Sequence, residues 1–176
     1  MNPRDRIVET ASRLFYTQGY ISTGINQVIK EAEVAKSSLY QHFPSKENLL
    51  MEYLQVTAIS TNKILQSILD KQKTPKDKVI SLFDFLSKFA KRTDFNGCNF
   101  LNIACEIPKE NEKIRMLIKK QKNHIRGLFA GILKPIGKEG LADELYVLFD
   151  AALISSKVYG DLWPIKTTRK IVVKLL

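Results

Sequence analysis

The sequence predicts an all-α protein of about nine helices, in which three short helices precede a helical bundle. Apolar residues recur at intervals of three and four along most of the chain, which is the spacing of one helix face. Only eight Gly and six Pro occur among 176 residues, and they fall between these periodic stretches. No run of alternating residues is flanked by hairpin turns, so we expect no sheet.

The composition excludes several classes of protein. At 44% hydrophobic and 26% charged residues, the chain has ordinary globular values and is not disordered throughout. No apolar run approaches the roughly 18 to 20 residues that a bilayer requires, and the N-terminus lacks the apolar core of a signal peptide. Two Cys cannot frame a disulfide scaffold. We therefore expect a cytoplasmic protein without a membrane partner.

The first three helices are short and closely spaced. The first is expected from about Pro3 to Gln18, with Asn2 as its cap and Gly19 after its end. Two shorter helices are expected over residues 25–32 and 36–42. Only three residues separate them, and so short a joint forces the sharp crossing that is typical of a helix-turn-helix.

Longer helices follow from Glu47. Ser45 is a suitable cap for the first of them, and Glu47 lies in its first turn, where an acidic residue is favourable. This change in helix length divides the chain after residue 46, into a domain of short helices, residues 1–46, and a larger helical domain, residues 47–176. The predicted helices of the larger domain are residues 47 to about 73, 75 to about 92, 98 to about 107, 110 to 133, 141 to about 159, and 164 onwards.

The densest motif surrounds the third helix, in residues 34–47. It combines apolar anchors, an aromatic pair and a Ser-Lys-Glu sequence at the start of the next predicted helix. With these residues the stretch from Ile7 to Leu50 resembles the DNA-binding domain of TetR-type transcriptional repressors. The matching residues are Ala11, Leu14, Phe15, Gly19, Tyr20, Thr23, Ile25, Val28, Ala32, Val34, Lys36, Ser37, Leu39, Tyr40, His42, Phe43, Ser45, Lys46 and Leu49.

The third helix is expected to expose polar side chains opposite an inner face of Leu39 and Phe43. Such donors and acceptors reach base edges and phosphates in a DNA major groove. The exposed residues are Lys36, Ser37, Ser38, Tyr40, Gln41 and His42.

The resemblance implies a role for each of these residues. Residues 36–40 would enter the groove, Gln41 would read a base, Tyr40 and His42 would touch the backbone, and Lys46 would pair with a phosphate. Thr23 is expected to hold another phosphate through its hydroxyl and nearby backbone N–H groups. The alternatives are packing of the Tyr40 ring against the long helix, a capping role for His42 and a solvated Lys46.

Two residues depart from the family pattern. Ile29 occupies a place that often holds Ala between the two short helices. The turn between the two short helices often contains Gly in the family, whereas this chain has Glu33. A non-Gly residue with positive φ would cost about 1 kcal/mol there.

Beyond Leu50 the resemblance lies in architecture. It implies that residues 1–46 are a helix-turn-helix DNA-binding domain and that residues 47–176 are a helical ligand-binding and dimerisation domain. The whole chain would then be a one-component repressor that a small hydrophobic ligand releases from a palindromic operator.

The predicted helix 141–159 has two apolar stripes. One contains Ala142, Leu145, Phe149, Ala152, Leu153 and Ser156, and the other contains Leu141, Leu148, Ala151, Ile154 and Val158. A helix that is apolar on two sides must bury both. A fully internal helix is one interpretation, and a homodimer interface is the one we favour. The predicted interface residues are Leu141, Leu148, Ala151, Ala152, Ile154, Ser155 and Val158.

The effector pocket is predicted from an aromatic cluster. Five of the nine Phe residues fall within 18 positions, close to both cysteines. An apolar cavity for a hydrophobic small molecule is one interpretation, and ordinary core packing is the other. The predicted lining is Phe83, Phe89, Cys98, Phe100 and Cys105.

Thiol sensing of an electrophile or oxidant at Cys98 is an alternative trigger. Cys98 lies near a predicted helix N-terminus, which favours a thiolate. An intramolecular disulfide with Cys105 is excluded while the helix persists, because seven residues of helix span about 10.5 Å. Against thiol sensing, cysteine is commonly a small buried hydrophobic residue.

No enzyme signature is present. His42 and His124 fall in different predicted domains without a metal-ligand companion at helical spacing. The sequence lacks a Walker-type loop, a dinucleotide fingerprint and a nucleophile elbow. We expect no catalytic site, metal or cofactor. The alternative function is a basic protein that binds a membrane surface or a partner through Lys113, Arg115, Lys119, Lys120, Lys122 and Arg126.

The net charge of +10 favours a polyanionic partner, with nucleic acid ahead of an anionic membrane. Residues 1–50 contain six Lys and Arg against five Asp and Glu, whereas residues 51–176 contain 22 against 13. Most of the charge therefore lies outside the predicted DNA-binding motif, and the functional assignment depends on the motif.

Overall fold

The computed structural model describes all 176 residues as nine α-helices, with two short 3-10 turns at Lys134–Ile136 and Glu139–Leu141 and no strand. The fold class and the number of helices are as predicted. The helices are α1 (Pro3–Thr17), α2 (Ile25–Glu31), α3 (Lys36–His42), α4 (Lys46–Leu69), α5 (Pro75–Phe89), α6 (Asn99–Glu106), α7 (Glu112–Leu133), α8 (Ala142–Tyr159) and α9 (Trp163–Leu175).

The predicted caps are present at the start of α1 and α4. Asn2 accepts a hydrogen bond from the Asp5 N–H at 2.9 Å, with Pro3 as the first residue of α1. Ser45 accepts one from the Asn48 N–H at 3.1 Å. Each cap satisfies an N–H group that the helix itself leaves without a partner.

The joint between α2 and α3 is a Schellman turn centred on Glu33. The Val34 N–H donates to the Ile29 carbonyl at 3.2 Å, and the Glu33 N–H donates to the Lys30 carbonyl at 3.3 Å. Glu33 has φ +52° and is the one non-glycine residue with positive φ. A non-glycine residue therefore does adopt a positive φ in this turn. The Arg6 guanidinium stabilises the turn by donating a hydrogen bond to the Glu33 carbonyl at 3.2 Å.

The chain packs as two compact units. The first contains residues 1–59 and 99–118, and the second contains residues 60–98 and 119–176. The boundary predicted after residue 46 follows the sequence motif, whereas the packing units divide within α4 and α7. The first unit therefore includes α6 as well as the three short helices.

The second unit has a core of aromatic and aliphatic side chains from the end of α4 and from α5, α7, α8 and α9. Within it, Phe83, Phe129 and Phe149 form mutual ring contacts with centroids 5.7 to 6.3 Å apart. The first apolar stripe of α8 is buried as expected, from Ala142 to Ser156. None of the nine helices combines the length and the apolarity that a membrane crossing needs.

Replacing Glu33 with Gly is expected to raise the free energy of unfolding of the first unit by about 1 kcal/mol, because glycine adopts a positive φ without a Cβ clash. Urea titration followed by circular dichroism measures this change. Glu33→Ala is the matched control, since it removes the carboxylate and keeps the Cβ. An equal gain in both variants would assign the effect to charge and contradict the backbone explanation.

Candidate nucleic-acid interface

The exposed face of α3 carries the polar side chains that the sequence places there. Leu39 is fully buried and Phe43 is 4% exposed, and together they turn one side of this seven-residue helix inward. The side chains of α3 that this arrangement leaves exposed are Lys36, Ser37, Tyr40, Gln41 and His42, while Ser38 is half-buried.

Spacing places the exposed residues on one side of the helix. Residues 36 and 40, and likewise 37 and 41, are four positions apart and are therefore neighbours on the helix surface. Tyr40 is 40% exposed, and the His42 ring lies 6.4 Å from the Phe43 ring. The surface presents one ammonium group, several hydroxyls, an amide and an imidazole, which suit hydrogen bonds to phosphates and base edges.

Thr23 has a different position from the one expected. It is fully buried, and its hydroxyl donates to the Gly19 carbonyl at 2.7 Å and accepts from the Gln18 amide at 3.1 Å. The hydroxyl therefore closes the loop between α1 and α2 and is not presented to a phosphate. Sequence spacing places Thr23 near the start of α2 but does not show which way its side chain points.

Lys46 is held at the start of α4 by the same loop. Its ammonium lies 4.3 Å from the centroid of the Tyr20 ring and donates to the Ile21 carbonyl at 3.4 Å. Burial lowers the pKa of Lys46, while the nearby carboxylate of Glu106 acts in the opposite direction. Lys46 is therefore an anchored cation rather than a freely solvated one, and phosphate pairing stays a prediction.

Glu106, at the end of α6, is a further residue of this region that spacing does not reveal. Its carboxylate accepts the Ile21 N–H at 2.7 Å, although the two residues are 85 positions apart in sequence. Gly19 makes this contact possible, because it has φ +93° and a Cβ there would lie 3.0 Å from a Glu106 oxygen. Glu106 thereby fixes the loop that holds Lys46.

Two more hydrogen bonds join the start of α4 to later parts of the first unit. The Asn111 amide donates to the Glu47 carboxylate at 2.8 Å, and the Tyr53 hydroxyl donates to the Asn99 side-chain oxygen at 2.5 Å. Burial, with a smaller effect of Glu47, raises the pKa of Tyr20 in the same region. Both ends of α6 and the residue before α7 are therefore bonded to α4 or to the loop between α1 and α2.

The second stripe of α8 lies at the surface of the second unit. Ile154 is 48% and Val158 is 73% exposed, Ala151 is exposed, and Leu141, Leu148 and Ser155 are half-buried. Ala152 differs, because it is 1% exposed and packs in the core of its own unit. Five further exposed apolar residues lie on α8 and α9, outside the two predicted stripes: Val147, Tyr159, Trp163, Ile171 and Leu175.

The structure does not collect the five predicted pocket residues in one unit. Phe83, Phe89 and Cys98 belong to the second unit, whereas Phe100 and the exposed Cys105 belong to the first. Phe83 is fully buried against two other phenylalanine rings, and Phe89 has ring neighbours 5.9 and 5.6 Å away. These contacts support the core-packing interpretation of the aromatic cluster.

Comparison with known proteins identifies bacterial transcriptional regulators among the relatives of this chain. Residues 7–53 match the family model for "Bacterial regulatory proteins, tetR family". The HTH-type transcriptional regulator YxaF of Bacillus subtilis (strain 168), itself uncharacterized, is 33% identical over 144 residues, which cover 80% of this chain and 73% of YxaF.

Solved structures show the same fold over nearly the whole chain. SCO4454, a TetR-family transcriptional regulator from Streptomyces coelicolor, has a TM-score of 0.86 at 22% identity and covers 97% of this chain and 90% of its own. A cysteine mutant of the TetR-family regulator CifR, complexed with 26 bp of double-strand operator DNA, has a TM-score of 0.83 at 18% identity. The match covers 97% of this chain and 94% of the CifR chain.

Replacing Lys46 with Gln is expected to weaken binding to duplex DNA by a similar factor for all sequences. Loss of one phosphate contact reduces the slope of log affinity against log salt by about 1 per bound half-site. Fluorescence anisotropy across a salt series measures both quantities. Lys71→Gln, which removes an exposed charge after the end of α4, is the control and should leave the slope unchanged. An unchanged slope in Lys46→Gln would contradict the phosphate contact.

Proposed function

Because the chain belongs to the TetR family of bacterial regulatory proteins, we propose that it binds a palindromic operator as a homodimer and represses transcription until a small hydrophobic ligand releases it. The observation that carries this proposal is the exposed polar face of α3. Leu39 and Phe43 fix the orientation of this face because their side chains are buried on the opposite side of the helix. Regulation by DNA binding follows from family membership, and the repressor role and the effector are the proposed parts.

Residues 36–40 of α3 would enter the major groove. That groove is about 12 Å wide and admits a helix, and a Gln side chain at the groove floor can bond an adenine edge with two hydrogen bonds. Gln41 is the proposed base reader for this reason. Tyr40 and His42 would bond the phosphate backbone beside it, and Lys46 would add a phosphate contact from α4.

A second copy of the chain completes the proposed reading unit. One seven-residue helix covers few base pairs, whereas a two-fold dimer reads two half-sites about 34 to 36 Å apart. The exposed apolar residues of α8 and α9, among them Ile154 and Val158, supply a surface for that pairing. Ala151, about one turn before Ile154 on the same helix, would allow the two copies of α8 to approach closely.

Release of the operator requires a ligand that binds one arrangement of the dimer more tightly than the other, since equal affinity for both shifts no equilibrium. The contacts around Glu106 support a route to the DNA-binding surface. A shift of α6 would pull on the Ile21 N–H and disturb the loop that holds Lys46. The hydrophobic class of the ligand is proposed from the family resemblance, because the aromatic cluster of the second unit is packed as core.

The contacts of α7 argue against the membrane-surface alternative. Of its six basic residues, Lys122 pairs with Asp150 at 2.8 Å and Arg126 pairs with Asp143. Arg115 donates to the carbonyls of residues 107 and 108 at 2.9 and 3.0 Å. Half of the proposed basic face is thus used within the chain, which leaves Lys113, Lys119 and Lys120.

Replacing Tyr40 with Ala is expected to remove specific operator binding, at a cost of about 2 to 6 kcal/mol for the two copies in a dimer. Selection of duplexes from a random library, followed by anisotropy titration, measures the affinity of the parent and of the variant. Tyr40→Phe, which keeps the ring, separates the contribution of the hydroxyl. Analytical ultracentrifugation checks that the dimer persists. Wild-type affinity in Tyr40→Ala would refute the groove assignment, and failure of the parent to select a palindrome would refute the proposed function.

Replacing Val158 with Glu tests the dimer surface. A carboxylate buried there without a partner is costly, so we expect the dimer dissociation constant to rise by about 100-fold or more. Sedimentation equilibrium over a concentration series measures it. Lys120→Glu on α7 changes the net charge in the same direction, outside the surface, and should leave the constant within a few-fold of the parent. A dimer of unchanged strength in Val158→Glu would place the interface elsewhere.

A further inference from the structure

Glu106 occupies a position that the stability of its own helix does not explain. It is the last residue of α6, a helix with no basic residue in its last turn. The C-terminal end of a helix carries a partial negative charge, so a carboxylate there is unfavourable. The contacts that explain the position of Glu106 therefore lie outside α6.

The carboxylate of Glu106 packs against the main chain of the loop between α1 and α2. One oxygen accepts the Ile21 N–H at 2.7 Å. The two oxygens lie 3.0 and 3.2 Å from the place where a Cβ of Gly19 would stand. The carboxylate is thus held by a backbone donor and fits a space that only a glycine leaves open.

The Lys46 ammonium contacts the same residue of the loop. It donates to the Ile21 carbonyl at 3.4 Å and lies 4.3 Å from the centroid of the Tyr20 ring. The nitrogen and the oxygen of one residue are about 3 Å apart, so the ammonium and the Glu106 carboxylate lie within about 9 Å of each other. That separation is below the Debye length of roughly 10 Å at 0.1 M salt. An anion that approaches Lys46 therefore also meets the charge of Glu106.

A second carboxylate near Lys46 has an explanation of its own. Glu47 lies in the first turn of α4, where an acidic residue stabilises the helix, and its carboxylate accepts the Asn111 amide at 2.8 Å. Glu106 has no such role in α6, although its carboxylate favours the charged form of Lys46. The cost of its charge to an approaching phosphate is therefore not offset by a gain in its own helix.

We propose that Glu106 has two opposed effects on DNA binding: its hydrogen bond to Ile21 positions Lys46 for a phosphate, and its negative charge repels that phosphate. Glu106 is a positioning residue, since it acts through the loop and Lys46. The bond raises the affinity for duplex DNA and the charge lowers it. This inference rests on the proposed phosphate contact of Lys46 and adds to it a residue that holds the affinity below what the geometry of the loop allows.

Two substitutions of Glu106 separate these effects. Gln has nearly the same shape as Glu, and its side-chain oxygen accepts an N–H in the same way, but it carries no charge. Ala removes the bond and the charge together. Glu106→Gln and Glu106→Ala therefore have the same net charge and differ in the bond to Ile21.

The test is the affinity of the full chain for the duplex selected from the random library, measured by fluorescence anisotropy over a salt series. Glu106→Gln is expected to bind about two- to tenfold more tightly than the parent at low salt, and this gain should shrink as added salt screens the repulsion. Glu106→Ala is expected to bind about fivefold more weakly than Glu106→Gln, because it lacks the bond. Glu110→Gln removes the same charge from an exposed residue before α7 and should stay within about twofold of the parent.

The same two substitutions are then made in the Lys46→Gln chain. The difference between Gln and Ala at position 106 should fall to within about twofold, because the loop no longer has an ammonium to position. A difference that stays unchanged would assign Glu106 a general structural role and overturn the positioning part of the proposal. Binding by Glu106→Gln that is no tighter than that of the parent at low salt would overturn the charge part.

Hydrogen exchange of the Ile21 amide, followed by NMR without DNA, tests the bond itself. The amide should be protected in the parent and in Glu106→Gln, and should exchange at least about tenfold faster in Glu106→Ala. Equal exchange in all three would overturn the bond as the source of positioning. If the parent binds no duplex DNA, the proposed function fails, while the exchange rates still decide whether Glu106 holds the loop.

Discussion

Burial of Leu39 and Phe43 is the constraint on which the DNA-binding surface depends. A helix of seven residues is too short to be stable alone, because so few hydrogen bonds do not offset the cost of nucleation. α3 persists because these two side chains pack inward and because α1 and α2 lie against it. The same two anchors fix its rotation, so the outward direction of Tyr40 and Gln41 follows from the core rather than from any contact of their own.

Features that depend on a few neighbouring residues could be predicted from the sequence. The nine helices, the caps at Asn2 and Ser45, the buried stripe of α8 and the strained turn at Glu33 all belong to this class, since propensity and periodicity act within a turn or two. The polar face of α3 follows in the same way. Residue spacing does not report which way a short side chain turns, so Thr23 was expected at the surface although its hydroxyl closes a loop.

Contacts between distant parts of the chain could not be predicted from one sequence. The bond of Glu106 to the Ile21 N–H joins residues 85 positions apart, and the bond of Lys122 to Cys98 joins residues 24 apart. Each partner alone resembles an ordinary helix residue. Net charge misleads for the same reason, because it counts Lys122 and Arg126 as free cations although both are paired inside the chain. Whether a basic side chain is available to a partner depends on its neighbours in the fold, and net charge does not report them.

The inclusion of α6 in the first unit has a consequence for the construction of chimeric regulators. A graft that transfers only residues 1–46 would leave the Phe15 ring without its contact to Tyr53, 5.7 Å away, and the loop at Ile21 without its carboxylate. The transplantable piece is discontinuous in sequence, residues 1–59 together with 99–118. Exchange of operator preference between relatives is therefore better attempted by changing side chains on α3 than by joining segments.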